Sequence, residues 1–403
     1  MIPLSISAVA LIMSFLKIKG LGRIRHVLCF LALGAGQIHL AVIALILLFV
    51  SEDGYLPPAR FPRGPTLLAV TCVGLVVMIT LLSPVSGRIL GEIVQLLIYA
   101  LIFVLATIYL RRPGRIEPLL HAMVIAATIV ALLGIAGQLT GFTQSPHIFI
   151  GRGGNEGSVF LLLSGVVPSI TLFIKTRRII YLLLPLLMLF AQVLAQSRAN
   201  MAVSLLVLVS PVYFLIGARW LRVVILLVVL GLLYAALPTL QSLFRQQQDF
   251  STLQRLALLD VGWALWLERP WLGWGWGATS ELVPQNTLTY DAYPHFHNTY
   301  IQLLVELGAL GWLAIVVWVG GSLWLVSVGA VHRVDLPGGF YIAVISVAVL
   351  AEGLTSALLF GADRAVQVMI ILALIGAFLR RRRVTVKQAA GQAAHSDPER
   401  PLL

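Results

Sequence analysis

The sequence predicts an all-α protein that crosses a membrane many times. Hydrophobic residues make up 59% of its 403 residues and charged residues only 11%, a balance far from that of soluble globular domains. Apolar runs of roughly 17 to 25 residues recur along the chain, and each can cross about 30 Å of hydrocarbon as a helix. Together these observations predict about twelve transmembrane helices and one large loop outside the membrane.

The apolar runs define the predicted spans in chain order. They cover residues 2–16, 26–50, 66–83, 89–110, 119–140, 157–174, 179–195, 200–217, 219–238, 298–326, 338–360 and 365–380. Residues 239–297 form the one long connection, so chemistry outside the bilayer is expected mainly there. We therefore divide the chain into helices at 1–238, the long loop at 239–297, helices at 298–383 and a disordered cytoplasmic tail at 384–403.

Basic residues indicate which side of the membrane each connection faces. Clusters such as Arg111-Arg112 and residues 380–383 fall on one side when alternate spans are counted, and short loops rich in Lys and Arg face the cytoplasm. The loop 239–297 then lies on the opposite face. The basic cluster at 17–25 disagrees with this orientation if residues 2–16 span, so that segment either crosses the membrane or lies at its surface.

Composition excludes several classes of function. Cys29 and Cys72 are the two cysteines and both lie in apolar runs, which argues against disulfides and against a cysteine metal site. The net charge of +12 is explained largely by cytoplasmic loops and the Arg-rich tail, and no basic and aromatic module for nucleic acid is present. The glycine-rich segment 151–157 lacks the Lys-Ser/Thr pair that a nucleotide loop needs.

Arginines gather on the face that we predict to be non-cytoplasmic, against the usual bias. They are Arg88, Arg152, Arg198, Arg245, Arg255, Arg269 and Arg364. A guanidinium matches phosphate oxygens and stays charged, so these residues are candidates for binding an anionic ligand; headgroup contacts or salt bridges are the alternative. Arg198 stands in a tight turn between two spans, and Arg255 lies on a helix-compatible run, 252–268, that presents Gly262 on the same face.

Two histidines stand where the long loop enters an apolar helix. His295 and His297 are followed by Asn298, and a neutral imidazole can take a proton from a hydroxyl, which typically gives about 10² to 10⁴ in rate. We predict His297 as a general base, with His295 and Asn298 binding substrate; a structural role is the alternative. The His-x-His spacing with Asp291 is weak evidence for zinc, so no metal is expected.

Tryptophan and glycine alternate just before the histidines. The five tryptophans of this region are Trp263, Trp266, Trp271, Trp274 and Trp276, with glycines at Gly273, Gly275 and Gly277. The rings either hold the segment at headgroup depth or stack on sugars and grip lipid, with Trp274 and Trp276 the substrate-binding candidates. Of the acidic residues in apolar runs, Glu92 and Glu352 are predicted to make structural pairs, and Glu306 to pair with an arginine.

These motifs follow one another in a recognisable order. They are Ser197-Arg198, Arg255 with Trp263 or Trp266, Pro270, Gly273, Gly275, His297-Asn298, Tyr300, Gln302 and Glu306-x-Gly308. Their order around one long loop resembles the O-antigen ligase and O-antigen polymerase superfamily of bacterial inner-membrane proteins. The resemblance covers the second half of the chain, while the first half matches in hydropathy alone.

The resemblance implies a GT-C-like membrane glycosyltransferase that uses no metal or other cofactor. Its donor would be a glycan on undecaprenyl pyrophosphate and its acceptor lipid A-core, with the active site on the periplasmic face of the inner membrane. The family arginines correspond to Arg198 and Arg255, which would hold the pyrophosphate, and the family histidine corresponds to His297. The reaction would invert the anomeric centre.

Two other functions stay open from the sequence. An O-antigen polymerase would use the same donor, and we prefer a ligase because the one large loop fits a single site for donor and lipid A-core. A flippase for lipid-linked oligosaccharides belongs to a different class. It would need polar residues through the spans and a site near the midplane, whereas the ionisable groups here gather at one face.

Overall fold

The described part of the computed structural model is helical. It comprises residues 22–34, 42–46, 63–84, 89–110, 112–140, 155–195, 198–215, 248–283, 295–327, 336–354, 358–359 and 364–378. The helices are α1 (Gly22–Gly34), α2 (Arg63–Leu81), α3 (Ile89–Tyr109), α4 (Ile116–Leu139), α5 (Asn155–Thr176), α6 (Ile180–Leu194), α7 (Arg198–Leu215), α8 (Gln248–Glu268), α9 (Thr279–Leu282), α10 (Thr299–Ser327), α11 (Leu336–Gly353) and α12 (Arg364–Phe378). No strand occurs within these residues, as the sequence predicted.

Several helices have the length and composition of membrane spans. Four described segments are long and apolar enough to cross a membrane: Leu90–Tyr109, Ile116–Leu139, Val159–Thr176 and Thr299–Trp318. Shorter apolar helices accompany them in α2, α6, α7, α11 and α12. The chain is therefore a multi-pass membrane protein, as predicted. The predicted spans 2–16 and 219–238 lie outside the described residues, and the total of twelve stays a prediction.

Helices α4, α5, α6 and α7 form a closely packed group. Gly165 on α5 lies against Ala127 on α4 so closely that a Cβ at position 165 would overlap the alanine side chain. Small residues let helix backbones approach in this way when both sides of the contact are apolar. Helix α11 packs on α5 and α7, while α10 packs on α2 and α8. The elements that carry the candidate residues thus surround α10 and α11.

Three predicted boundaries are wrong. The run 252–268 is part of a longer helix, because α8 begins at Gln248. Arg198 is the first residue of α7 and does not stand in a turn that extends to residue 200. The span 338–360 ends early, since α11 stops at Gly353. A fourth difference, a break inside the span 298–326, shapes the site.

Candidate functional site

Helix α10 is broken at Gly308. This glycine has φ 61° and ψ −172°, which are not helical angles, so the half that begins at Thr299 ends near Leu307 and a second half continues beyond. A break inside an apolar helix exposes carbonyls and amides that must find partners, because hydrocarbon offers none. The sequence prediction of one continuous span missed this feature.

The loop between α8 and α9, residues 269–278, fills the break and is named here the Trp-Gly loop. Its amides donate to carbonyls of the first half of α10, and its carbonyls accept from amides of the second half. The four bonds are Trp274 N–H to Val305 O (3.0 Å), Gly275 N–H to Glu306 O (2.7 Å), Ala309 N–H to Pro270 O (2.8 Å) and Leu310 N–H to Trp271 O (3.1 Å). The loop therefore replaces the helical hydrogen bonds that Gly308 interrupts.

Glycines allow the two backbones to touch. Gly273 has φ 64°, and a Cβ there would lie 2.5 Å from the amide nitrogen of Gly308. A Cβ on Gly308 would overlap the carbonyl group of Trp271 in turn. Both positions combine positive φ with backbone on the facing side, so glycine is required at each.

The place where the Trp-Gly loop meets the two halves of α10 is named here the junction. The carboxylate of Glu306 lies at its centre and is fully buried. Its Oε2 accepts from the amide of Gly277 at 2.7 Å, and its Oε1 accepts from the amide of Thr279 at 3.3 Å, from the Thr279 hydroxyl, and from Nε2 of Gln302 at 3.1 Å. The predicted pairing of Glu306 with an arginine is wrong. Neutral donors satisfy the carboxylate instead.

Residues from the first half of the chain complete the junction. The amide of Trp276 donates to Oγ1 of Thr80 at 3.2 Å, and the hydroxyl of Ser83 donates to the carbonyl of Trp274. Glu92, in the first turn of α3, packs against the Cα of Gly277. Sequence reasoning missed Thr80 and Ser83. The signal was small polar residues at the end of an apolar span, where no other role was evident.

His297 has a backbone conformation that is uncommon for its residue type. Its φ is 52°, in the left-handed region, where a non-glycine residue costs energy and often marks a functional site. The His297 amide donates to Nδ1 of His295 at 3.3 Å, and the two rings stand edge to face with centroids 4.2 Å apart. Both side chains are half-buried. The structure thus brings the two predicted histidines together.

Phe296, between the histidines, anchors them to α8. It is fully buried in a small apolar cluster with Leu258, Val283 and Val305. A Cβ built on Gly262 of α8 would lie 3.3 Å from the Phe296 ring and would overlap the side chain of Ile301. Gly262 thus allows a close approach, and α8 packs against the histidine segment.

Asn298 begins α10 and ties it to α11. Its Oδ1 accepts from the amides of Tyr300 and Ile301, both at 3.0 Å, which is N-capping, and its Nδ2 donates to the carbonyl of Leu354 at 3.1 Å. The hydroxyl of Tyr300 donates to Leu350 O at 2.8 Å. These bonds give the Asn298 side chain a structural role; substrate binding by it stays a prediction.

Helix α7 reaches the same end of the bundle. Nδ2 of Asn200 donates to Oε1 of Glu352 at 3.2 Å, two residues before the Leu354 carbonyl that Asn298 binds. The structural pairing predicted for Glu352 is confirmed by this contact. Arg198, two residues before Asn200, therefore begins its helix at the end of the bundle that carries His297.

The other predicted arginines differ in their exposure and in their contacts. Arg255 is exposed on α8, three residues before Leu258 of the Phe296 cluster. The guanidinium of Arg269 stacks over the ring of Trp274, 4.8 Å from its centroid, as a cation–π contact. Arg88, Arg152 and Arg245 lie outside the described residues, and Arg364 is buried at the start of α12. Substrate binding by any of them remains a prediction.

The tryptophans divide into two groups. Trp263 and Trp271 are exposed, whereas Trp276 is buried and Trp274 is half-buried with its Nε1 donating to the Leu265 carbonyl at 2.9 Å. An exposed ring is available to headgroups or sugars, and a buried one is part of the framework. Both interpretations of the tryptophan cluster therefore suit the exposed rings, and substrate binding by Trp274 and Trp276 stays a prediction.

An apolar cavity of about 340 Å³ lies beside the histidine segment. Its walls come from α3, the Trp-Gly loop, α10, α11 and α12. Lining residues include Leu96, Tyr99, Trp276, Thr299, Tyr300, Leu303, Val349, Leu350, Met369 and Leu372. Thr299 and Tyr300 follow His297 in the chain, with Asn298 between them. A lipid chain is the kind of ligand that such a lining suits, since it offers little to a polar group.

The described histidines, cysteines and carboxylates do not gather in groups of three that could hold a metal ion. Asp291, the third member of the zinc site weighed from the sequence, lies outside the described residues. The polar groups that surround the junction of α10 are backbone amides, hydroxyls and a side-chain amide. Among them, the amides of Gly277 and Thr279, the Thr279 hydroxyl and Nε2 of Gln302 donate to the Glu306 carboxylate.

Comparison with known families adds to this geometry. Residues 183–316 match the family model described as O-antigen ligase. The resemblance drawn from the motifs is thereby confirmed, and the family points to a glycosyl-transfer enzyme. The matched segment contains Arg198, Arg255, His297 and the whole Trp-Gly loop. Among curated proteins, none matches the chain.

Proposed function

We propose that the protein is an O-antigen ligase of the bacterial inner membrane. It moves O-antigen glycan from undecaprenyl pyrophosphate to lipid A-core on the periplasmic face. The observation that carries this proposal is the position of His297, held in a left-handed conformation just before α10 and only two and three positions before Thr299 and Tyr300, which line an apolar cavity. A base beside a lipid-sized cavity suits a hydroxyl acceptor and a lipid-linked donor.

The chemistry assigned to the site is an in-line displacement. His297 takes the proton of an acceptor hydroxyl, the hydroxyl oxygen attacks the anomeric carbon, and the bond from that carbon to the phosphate oxygen breaks with inversion. Arg198 and Arg255 bind the pyrophosphate and stabilise the charge that grows on it as it leaves. No metal or other cofactor takes part in this scheme, because two guanidiniums neutralise the diphosphate.

The apolar cavity supports a lipid-linked donor. The isoprene units of the donor already lie in hydrocarbon before they bind, so the cavity holds the chain by van der Waals packing and not by transfer out of water. Trp276 and Tyr300 both line the cavity, and Tyr300 lies three residues after His297 in the chain. A donor whose chain enters the cavity would therefore present its pyrophosphate near His297. The GT-C-like fold with twelve spans belongs to the same proposal.

Reconstitution tests the activity. Purified protein in liposomes is given undecaprenyl-pyrophosphate-linked O-antigen together with lipid A-core, and the products are separated by gel. A ladder of glycan on lipid A-core supports the ligase. Lengthening of the donor with lipid A-core untouched identifies a polymerase. Movement of unchanged donor to the other leaflet identifies a flippase, and either of the last two results overturns the proposal.

A further inference from the structure

We infer that Glu306 is a positioning residue that holds Trp276 as a wall of the apolar cavity. This rests on the proposed function, because the cavity is taken to receive the lipid chain of the donor. Glu306 is not assigned to contact substrate: its carboxylate is fully buried, and all of its partners belong to the chain itself. Its effect would pass through the Trp-Gly loop.

Three successive amides of the Trp-Gly loop define the geometry. The amide of Gly275 donates to the main-chain carbonyl of Glu306 at 2.7 Å, and the amide of Gly277 donates to the carboxylate of the same residue at 2.7 Å. Between them, the amide of Trp276 donates to Oγ1 of Thr80 at 3.2 Å. One residue of α10 therefore clamps both neighbours of Trp276, and α2 holds Trp276 itself.

The clamp has a direct structural consequence for the cavity. Trp276 is 4% exposed, and its side chain lines the cavity together with Thr299 and Tyr300. Its neighbours are glycines with φ of 98° and 83°, which impose little conformational restriction of their own. The orientation of the indole thus depends on the hydrogen bonds of the loop, of which the carboxylate supplies those at Gly277 and Thr279.

The partners of Glu306 require a group that accepts at both oxygens. Two backbone amides, the Thr279 hydroxyl and Nε2 of Gln302 all donate to it. Glutamine at position 306 would place an NH₂ group against at least one donor, because a backbone amide cannot reverse its role. The Thr279 hydroxyl can be removed separately, since valine has nearly the shape of threonine and lacks the hydroxyl.

The test compares variants for binding of a lipid diphosphate without glycan. The probes are undecaprenyl pyrophosphate and dimethylallyl pyrophosphate, whose single isoprene unit is too short to fill the cavity. They are titrated into purified full-length protein in nanodiscs, with thermal unfolding of each variant measured in parallel. The variants are Glu306→Gln and Thr279→Val, with Thr279→Ser as the conservative partner that keeps the hydroxyl. Thr171→Val is the matched control, because Thr171 is equally buried and its hydroxyl bonds only to Val167 O of its own helix.

We expect Glu306→Gln to weaken binding of undecaprenyl pyrophosphate, the long-chain probe, about tenfold, because one or two hydrogen bonds to a charged group are lost. Binding of the short-chain probe should stay within about twofold of wild type. Thr279→Val should weaken binding of the long-chain probe about threefold, and Thr279→Ser and Thr171→Val should match wild type. In the transfer assay the same variants should raise the donor KM and leave kcat within about twofold. If Glu306→Gln does not fold, Thr279→Val with its serine partner carries the test.

Other results overturn the inference in distinguishable ways. If the wild type binds the long-chain probe and the variants bind it equally well, the role of Glu306 is rejected and the proposed function stands. Equal weakening for both probes, or a fall in kcat alone, means that Glu306 acts in general stability and not on the cavity wall. Failure of the wild type to bind either lipid diphosphate rejects the proposed function together with the inference.

Discussion

Helices α4 to α7 and the junction around α10 both give their buried polar groups hydrogen-bond partners, but they draw those partners from different parts of the chain. In the first region, several polar side chains bond within their own helix, as when Thr128 donates to Val124 O at 2.7 Å, and others bond to a helix packed beside theirs, as when His121 bonds to the Tyr181 hydroxyl. At the junction the partners come from remote parts of the chain: Trp276 bonds to Thr80 across 196 positions. The first region is regular and rests on local geometry, whereas the second depends on a precise meeting of three segments.

The comparison explains where the candidate chemistry lies. A regular apolar helix satisfies its own backbone and offers no polar group to a ligand, so it serves as framework. The junction needs glycines, buried donors and a carboxylate, and it stands beside the histidine segment and the apolar cavity. Function is expected where the helix pattern is broken, because the break brings polar groups to membrane depth.

The largest expected effect comes from Gly308→Ala. The new Cβ would overlap the Trp271 carbonyl group and would stand at positive φ, so we expect a loss on the order of 3 kcal/mol in the free energy of unfolding. Denaturant titration of the purified protein measures it. Gly91→Ala in α3 is the control, since a Cβ there meets nothing within 4 Å and should stabilise by about 0.5–1 kcal/mol. Equal effects at both positions would erase the contrast between the regions.

A smaller effect is expected from Asn298→Ala. The substitution removes the cap of α10 and the bond to the Leu354 carbonyl, and should cost about 2 kcal/mol. Asn298→Asp keeps an acceptor for the cap and loses the donor, so it should cost about half as much. Both are measured by the same titration. A cost as large for aspartate as for alanine would mean that the cap contributes nothing.

Thr80→Val should affect stability less than Gly308→Ala or Asn298→Ala. It removes the acceptor for the Trp276 amide and should cost about 1–2 kcal/mol, because that amide is then buried without a partner. Thr128→Val removes a hydroxyl that bonds only within its own helix, and should change stability by less than about 0.5 kcal/mol. If the two variants are equally stable, the remote hydrogen bonds of the junction contribute no more to the free energy of unfolding than the local ones.

The sequence predicted the regular part of the fold well. Hydropathy placed α3, α4 and α5 within a few residues, because a buried or lipid-facing helix carries its signal in every turn. Hydropathy did not reveal the break at Gly308, since the apolar run continues through it and a single glycine hardly changes the mean hydropathy of a window. The motif Glu306-x-Gly308 contained the signal, but its meaning depends on a loop that begins over thirty positions earlier in the chain.

The candidate site was predictable in its residue types and not in its contacts. The two histidines, the glycine-tryptophan alternation and Glu306 stood out by charge or spacing at membrane depth. Their partners Thr80, Ser83 and Thr279 did not, because a threonine or serine at a helix end has many roles. The left-handed backbone of His297 has no sequence signature either, since it follows from the capping of α10 and the burial of Phe296.

The most direct test of the account is the transfer rate of His297→Asn. Asparagine adopts left-handed backbone readily, so this variant keeps the local fold and removes the imidazole. The control is His121→Asn, because His121 bonds to Glu117 O and the Tyr181 hydroxyl within the regular region. The account predicts that kcat falls by about 10² to 10⁴ for His297→Asn with donor KM nearly unchanged, while the control stays active. A His297→Asn variant that transfers glycan at the wild-type rate would contradict the account.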